Sequence, residues 1–352
     1  LCDIDEHQYF LEIILLNSTN TAHTKPIDVV YTWVDDSFPG YLEQLNQYAE
    51  TKHDLNPNRT RDNLDLLKYS LRSLQQHLPW VRHVYLFTCR PQIPAWINTQ
   101  AENLKIIHHD EIIDPQYLPT FSSHTIISHI HKLPGLSDQF LYIEDDMLFD
   151  NRVRDTDFTD KQGKIIFYPQ KHFTADAKQR DSETQSPWNL ALAECNHMLD
   201  DAFTKERRRD VNHIPLFVDR KAWGEMEQRW PDAFHRTRMC KFRSPHNVAA
   251  EYLYPYYMIY TNRGTLTSRA NTRRNMIYHP MENYLVWAWY GIWRINRTRP
   301  KFLALNDNFD DKPHAGVVST MKNFLAHRYP TPSRFESIAN AEFQNSAISH
   351  PP

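Results

Sequence analysis

Residues 140–149 read FLYIEDDMLF, an apolar run interrupted by three acids, Glu144, Asp145 and Asp146. A carboxylate pair behind a strand is a ready site for Mg2+ or Mn2+, which prefer oxygen ligands and bridge substrate phosphates. The competing reading is a solvated turn after an edge strand, yet the flanking run is too apolar for an edge. A second strand end repeats the design. LALNDN, residues 303–308, closes on Asn306, Asp307 and Asn308, all oxygen donors, with an Asx-turn as the plain alternative. Two such strand ends in one chain point to a metal or phosphate site.

Histidine and arginine supply the rest of a transfer chemistry. His213 stands in VNHIPLFVDR, a short and otherwise apolar segment. A general base needs a pKa near the working pH, which histidine supplies, although a lone His is more often a satisfied core residue. His108-His109-Asp110 and His129-Ile130-His131 have ligand-like spacing, but no further residues complete a tetrahedral metal site. Phosphoryl transfer builds charge on non-bridging oxygens, which arginine clamps bidentately. Arg61, Arg243 and Arg263 are the candidates.

These groups need a frame. IDVVYTWV (27–34) is rich in β-branched and aromatic residues and reads as a central strand, stopped by Asp35, Asp36, Ser37 and Pro39. HVYLFT (83–88), LKIIHH (104–109) and FLYIED follow as strands. Leu64, Leu67, Leu71, Leu74 and Leu78 recur at helical spacing, so 62–77 is an amphipathic helix. Helices are also expected over 40–50 and 122–132. Strands alternating with helices predict an α/β fold with a mostly parallel central sheet and added helices. Ligands collect at the carboxyl ends of such strands, which would bring Asp35 and Asp145/Asp146 to one cleft. Later come a short strand at 164–168, helices near 187–203, 220–229, 246–258, 284–297 and 315–327, and a strand at 301–305.

The chain of 352 residues is read as an N-terminal extension (1–25), one catalytic domain (26–328) and a loosely attached, Pro/Ser/Asn-rich tail (329–352). Glycine is scarce, at 7, and neither GxGxxG nor GxxxxGK[ST] occurs, so no glycine-rich phosphate loop is expected. A net charge of -3 leaves no basic footprint for nucleic acid. Cys2, Cys89, Cys195 and Cys240 form no CxxC and read as free thiols. The longest apolar stretch, YLVWAWYGIWRI from Tyr284 to Ile295, is shorter than the roughly 20 residues that span a bilayer. It reads as a core or interfacial helix, with the core reading preferred.

Taken together, the motifs resemble the Stealth proteins, a family of sugar-1-phosphate transferases. Four blocks match in order. They are IDVVYTWVDDS; the stretch from RDNLDLLKYSLRSL to FLYIEDDMLF; HIPLFVDRKAWGEM with FRSPHNVAAEYLYPYY; and KFLALNDNFDD. The resemblance implies a fold of nucleotide-sugar-transferase (GT-A/Rossmann-like) type, a UDP-sugar donor and a glycan acceptor. It also implies transfer of the whole sugar-1-phosphate, with Mg2+ or Mn2+ as cofactor. Carried over by position, His213, Arg243 and Asp146 would be catalytic. Asp28, Trp33, Asp35, Arg61, Asp62, Asn63, His124 and Asn306 would bind substrate, and Asp145, Asp146 and Asp307 the metal. The chain departs from the usual pattern at Asp36, where the family has Gly, and at Glu144, where it has Asn. RDNLDLLKYS also runs one residue longer around Asp65. Alternatives are a metal-dependent glycosyltransferase that releases UDP and a non-catalytic glycan-binding protein. Without a spanning helix, a bacterial cytoplasmic enzyme with peripheral membrane contact is expected.

Overall fold

The structure, a computed structural model, describes residues 25–49, 61–309 and 312–337. Cys2, residues 1–24 of the expected extension, the polar loop 51–60 and the end of the tail lie outside the described residues. The central sheet has the order β3-β2-β1-β4-β9, formed by β1 (Ile27–Trp33), β2 (Val84–Thr88), β3 (Leu104–His108), β4 (Gln139–Glu144) and β9 (Leu216–Asp219). The first four are parallel and β9 is antiparallel, so the sheet is mostly parallel, as the alternation of elements predicts.

β1 is buried at six of its seven positions, because parallel strands are covered on both faces. The helix Leu66–His77 packs its leucine stripe inward. Leu67, Leu71, Leu74 and the following Leu78 are each at most 1% exposed, and each contributes about 1.5–3 kcal/mol of burial. This helix starts four residues later than its leucine periodicity suggests. Asp65 adopts a left-handed φ of 57°, which the α-helix does not continue through.

Immediately after β4 the chain leaves the central sheet. β5 (Met147–Phe149) joins a second sheet of order β11-β12-β5, with β11 (Met276–Met281) parallel and β5 antiparallel to β12 (Phe302–Asp307). Only Asp145 and Asp146 separate β4 from β5. Two short pairs, β6 (Ile165–Phe167) with β10 (Gly264–Leu266) and β7 (Pro169–Phe173) with β8 (Arg209–Val211), complete the sheets among the described residues. One hydrophobic cluster surrounds the central sheet, and a smaller one lies between β11, β12 and the helices Leu285–Thr298 and Ala315–Arg328.

Three expectations need correction. The tail is not loose from 329: Tyr329 and Phe335 are buried, and the Arg72 fork donates to both carboxylate oxygens of Glu336 at 2.8 and 2.6 Å. Polar composition concealed two aromatic anchors and one ion pair. The helix expected over 122–132 is Ser123–Ile127 followed by a separate turn at Ile130–Lys132. The apolar helix Leu285–Thr298 buries one face only. Gly291 lies so close to β11 that a Cβ would come within 2.3 Å of the His279 ring, while Val286 on the far side is 82% exposed.

Candidate active site

The cleft lies at the seam of the two sheets. Its walls come from the carboxyl ends of β1 (Thr32, Trp33, Val34), β4 (Glu144, Asp145, Asp146) and β12 (Asn306, Asp307). Arg61, Asp62, Phe121, Ser123, Phe242 and Arg243 complete a space of about 290 Å3. The two acidic strand ends therefore meet although 160 residues separate Asp146 from Asn306. Asn306 Nδ2 donates to Asp146 Oδ2 at 3.3 Å, and the Leu305 amide donates to the Asp146 carbonyl at 2.9 Å.

His213, just before β9, joins Asp146. Its Nε2 lies 2.8 and 3.0 Å from the two Asp146 oxygens. Burial alone would depress His213, but the carboxylates of Asp146, Glu144 and Asp145 outweigh it and raise the imidazole to about 10. Burial likewise favours neutral Asp146, and the His213 charge with the Asn306 bond reverses that, holding Asp146 below the usual carboxylate range. The two shifts agree on an ion pair.

The other acids behave differently. Burial pushes Asp145 far up, reinforced by Asp62, Asp146 and Glu144, and it pushes Glu144 up as well. Asp62, although its carboxylate caps Leu66 N at 2.6 Å, rises to about 6 through burial and Asp65. Asp307 is raised by burial even though Asn63 donates to it at 2.8 Å. Five carboxylates thus crowd one cleft, and burial together with their mutual repulsion pushes several toward protonation. Such a set of hard oxygens fits a divalent cation. Donor atoms of Glu144, Asp146 and His213 all lie within 4.8 Å of one another. Glu144, and not Asp307, is the acid grouped there with Asp146.

The two cleft arginines are held in place. Arg243 donates to Ser123 Oγ through Nε (3.0 Å) and Nη2 (2.6 Å), and its guanidinium lies over the Trp188 ring. Arg61 Nε bonds the buried Asp36 at 2.8 Å, so the acid that replaces the usual glycine anchors a cleft cation. Arg263 pairs instead with Glu225. Trp33 lines the cleft, and its indole N–H is buried without an acceptor among the described residues.

Several expected substrate residues sit elsewhere. Asp28 is at the opposite, amino end of β1. It is fully buried and bound by Arg82 (2.8 and 2.6 Å) and the Ser137 amide. In a parallel strand the amino end faces away from the ligand edge, so Asp28 is structural. The His124 ring is fully buried and stacks on Trp188, the ring beneath Arg243, and it is not among the residues that line the cleft. Asn63 acts through Asp307, and Asp35 accepts from the Ser37 amide in the turn after β1. Sequence reading missed Ser123, Phe121 and Phe242. It also missed Tyr278, whose ring lies edge-on to His213 at 6.3 Å. Tyr278 belongs to β11, whose proline-containing run MIYHPM gave no strand signal.

Fold and site together define an α/β protein with a mostly parallel sheet, an acid-lined cleft at its strand ends, a histidine on one acid and two anchored arginines. Sequence models of Stealth conserved regions 2, 3 and 4 match residues 59–167, 212–260 and 293–346. The capsular polysaccharide phosphotransferase fcs1 of Haemophilus influenzae is 32% identical over 274 residues, covering 74% of this chain and 72% of that protein. The chain belongs to the Stealth family. The exopolysaccharide phosphotransferase SCO6023 of Streptomyces coelicolor is 34% identical over 317 residues, 88% of this chain. CpsY of Mycobacterium tuberculosis is 29% identical over 323 residues, 89% of this chain. The chain spans 52% and 58% of the length of these last two relatives. Among solved structures, the galactosyltransferase LgtC is 10% identical with a TM-score of 0.41, covering 86% of this chain and 96% of that one. The glycosyltransferase GlyE of Streptococcus pneumoniae is 11% identical with a TM-score of 0.40, covering 93% and 65%.

Proposed function

We propose that this chain transfers a sugar-1-phosphate from a UDP-sugar to a hydroxyl of an acceptor glycan, in the synthesis of a bacterial surface polysaccharide. The observation that carries this reading is Asp146, paired with His213, lining the same cleft of oxygen ligands as the anchored Arg61 and Arg243. Family membership and the phosphotransferase names of the relatives support it.

In this reading the acceptor oxygen attacks the phosphorus that bears the sugar. The bond from that phosphorus to the oxygen bridging the two phosphates breaks, and UMP departs with the bridging oxygen. Nε2 of His213 is committed to Asp146, so Nδ1 takes the hydroxyl proton while Asp146 orients the ring. Arg243 and Arg61 offer donors to the charge that builds on the phosphoryl oxygens. Trp33 offers its indole N–H to the donor. Glu144 and Asp146, with Asp145 or Asp307, would hold Mg2+ or Mn2+. Bound there, the cation supplies positive charge for the diphosphate and offsets the field that otherwise keeps His213 protonated. The setting is the cytoplasm, with peripheral contact to the membrane.

A donor screen that quantifies nucleotide product, followed by 31P NMR, tests the reaction. UMP together with a new phosphodiester is expected. UDP as sole product would mean an ordinary glycosyltransferase and would overturn the proposal. Thermal shift with UDP-sugar is expected to show stabilisation that depends on the divalent cation. No such stabilisation, with no turnover, would favour a glycan-binding protein.

A further inference from the structure

The helix Leu285–Thr298 is apolar around most of its circumference, a pattern normally found in fully buried or lipid-facing helices. Here Ala288, Gly291 and Ile295 face the protein, while Leu285, Val286, Trp289, Tyr290 and Trp293 form a stripe on the other side. Val286 is 82% exposed, Trp289 60% and Trp293 55%, and the preceding Tyr284 is 70% exposed. A contiguous stripe of this kind marks a surface that something covers.

The surrounding charge says what. No Asp or Glu occurs between Asn283 and Asn306, whereas Arg294, Arg297 and Arg299 follow the stripe. Arg294 lies over the Tyr290 ring and Arg297 over the Trp293 ring, so both guanidinium groups sit at the stripe itself. Tryptophan, tyrosine and aliphatic side chains bordered by arginine are the composition that settles at a bilayer's headgroup boundary. The helix has 14 residues and cannot cross.

We propose that this stripe docks the protein onto an anionic lipid bilayer, with Val286, Trp289 and Trp293 entering the headgroup region and the arginines meeting lipid phosphates. A second copy of the chain is the competing occupant, which the experiment below separates from a bilayer. A polysaccharide fits poorly. Trp287, Tyr290 and Trp293 stack on one another at 5.3 and 5.9 Å, leaving few open ring faces for sugars, and Val286 and Leu285 offer none. The inference rests on the membrane contact in the function proposed above, but not on its chemistry.

The test is co-sedimentation of the full chain with vesicles of phosphatidylcholine containing phosphatidylglycerol, and with phosphatidylcholine alone. Binding to the anionic vesicles is expected, weakening with salt. Val286→Asp with Trp289→Asp is expected to reduce it at least tenfold, and Arg294→Gln with Arg297→Gln by roughly tenfold. Because Val286, Trp289 and Arg297 are exposed and Arg294 is half-buried against the Tyr290 ring, far-UV circular dichroism should not change and melting should shift little. Failure to bind, or equal binding by the variants or to both vesicle types, overturns the proposal. So does self-association lost in the aspartate variant, or retention on an anionic glycan, without vesicle binding. UMP release is measured in parallel. Turnover without vesicle binding removes only the docking surface, and vesicle binding without turnover removes only the reaction.

Discussion

At the scale of the residue, charge decides roles. His213 is raised to about 10 against an ordinary value near 6.5. Its charged form is favoured by folding, so this stability is complete below pH 6.5 and drains away as pH rises toward 10. In metal-free protein, urea midpoints should fall across that window, and Asp146→Asn should flatten the decline. His213→Gln should lower kcat about 100-fold or more at saturating donor, as expected for loss of a general base. Asp28 makes the opposite prediction. Burial would raise its carboxyl, but the Arg82 fork and the Ser137 amide reverse this and hold it low. Its stabilisation is present above the ordinary carboxylate value and lost as pH falls through the lowered one. Asp28→Asn should cost roughly 2–3 kcal/mol of stability, since Arg82 is partly solvated, while leaving KM for the donor unchanged. A raised KM would return Asp28 to the donor site.

At the scale of the element, close approach and anchoring matter. Gly291 lets the helix Leu285–Thr298 lie on β11, the strand that carries Tyr278 to His213. Gly291→Ala drives a methyl into the buried His279 ring, which is already stacked on Trp287. A loss of about 1–3 kcal/mol in chemical denaturation is expected, in spite of alanine's better helix propensity. Glu336 pins the segment after the last helix to Arg72 in a pair that is 9% and 7% exposed. Glu336→Ala leaves that guanidinium, among the described residues, with the Tyr329 carbonyl at 3.0 Å and the Tyr69 ring. Hydrogen exchange at residues 329–337 should quicken markedly, while the central sheet keeps its protection.

At the scale of the whole molecule, the cleft is a joint between two sheets. β4 belongs to one and β5 to the other, so the chain turns across the seam where Asp145 and Asp146 lie. β12 supplies the facing acid from the second sheet. Cation and nucleotide would bind across that joint and should make the two sheets unfold together. Scanning calorimetry with UDP and Mg2+ should show one transition at a higher temperature than in a chelator. Two transitions that move independently would mean that the seam is not the binding site.

The sequence by itself determined the parallel strands, the leucine-striped helix and both acidic strand ends, because apolar periodicity and chain-stopping polar clusters are local signals. It also singled out His213, Arg61 and Arg243. Tertiary structure alone decided which partners these residues take. Asp28 and Asp35 bracket the same strand, yet β1 runs one way through the sheet, so Asp28 is left at the amino end with Arg82. Glu144 and Tyr278 reach the site, and His124 is buried against Trp188 behind Arg243, because of sheet register and packing between residues far apart in the chain. The outward stripe of the helix Leu285–Thr298 was invisible for a related reason. An apolar sequence shows that a face can be buried, but only the packed molecule shows which face remains uncovered.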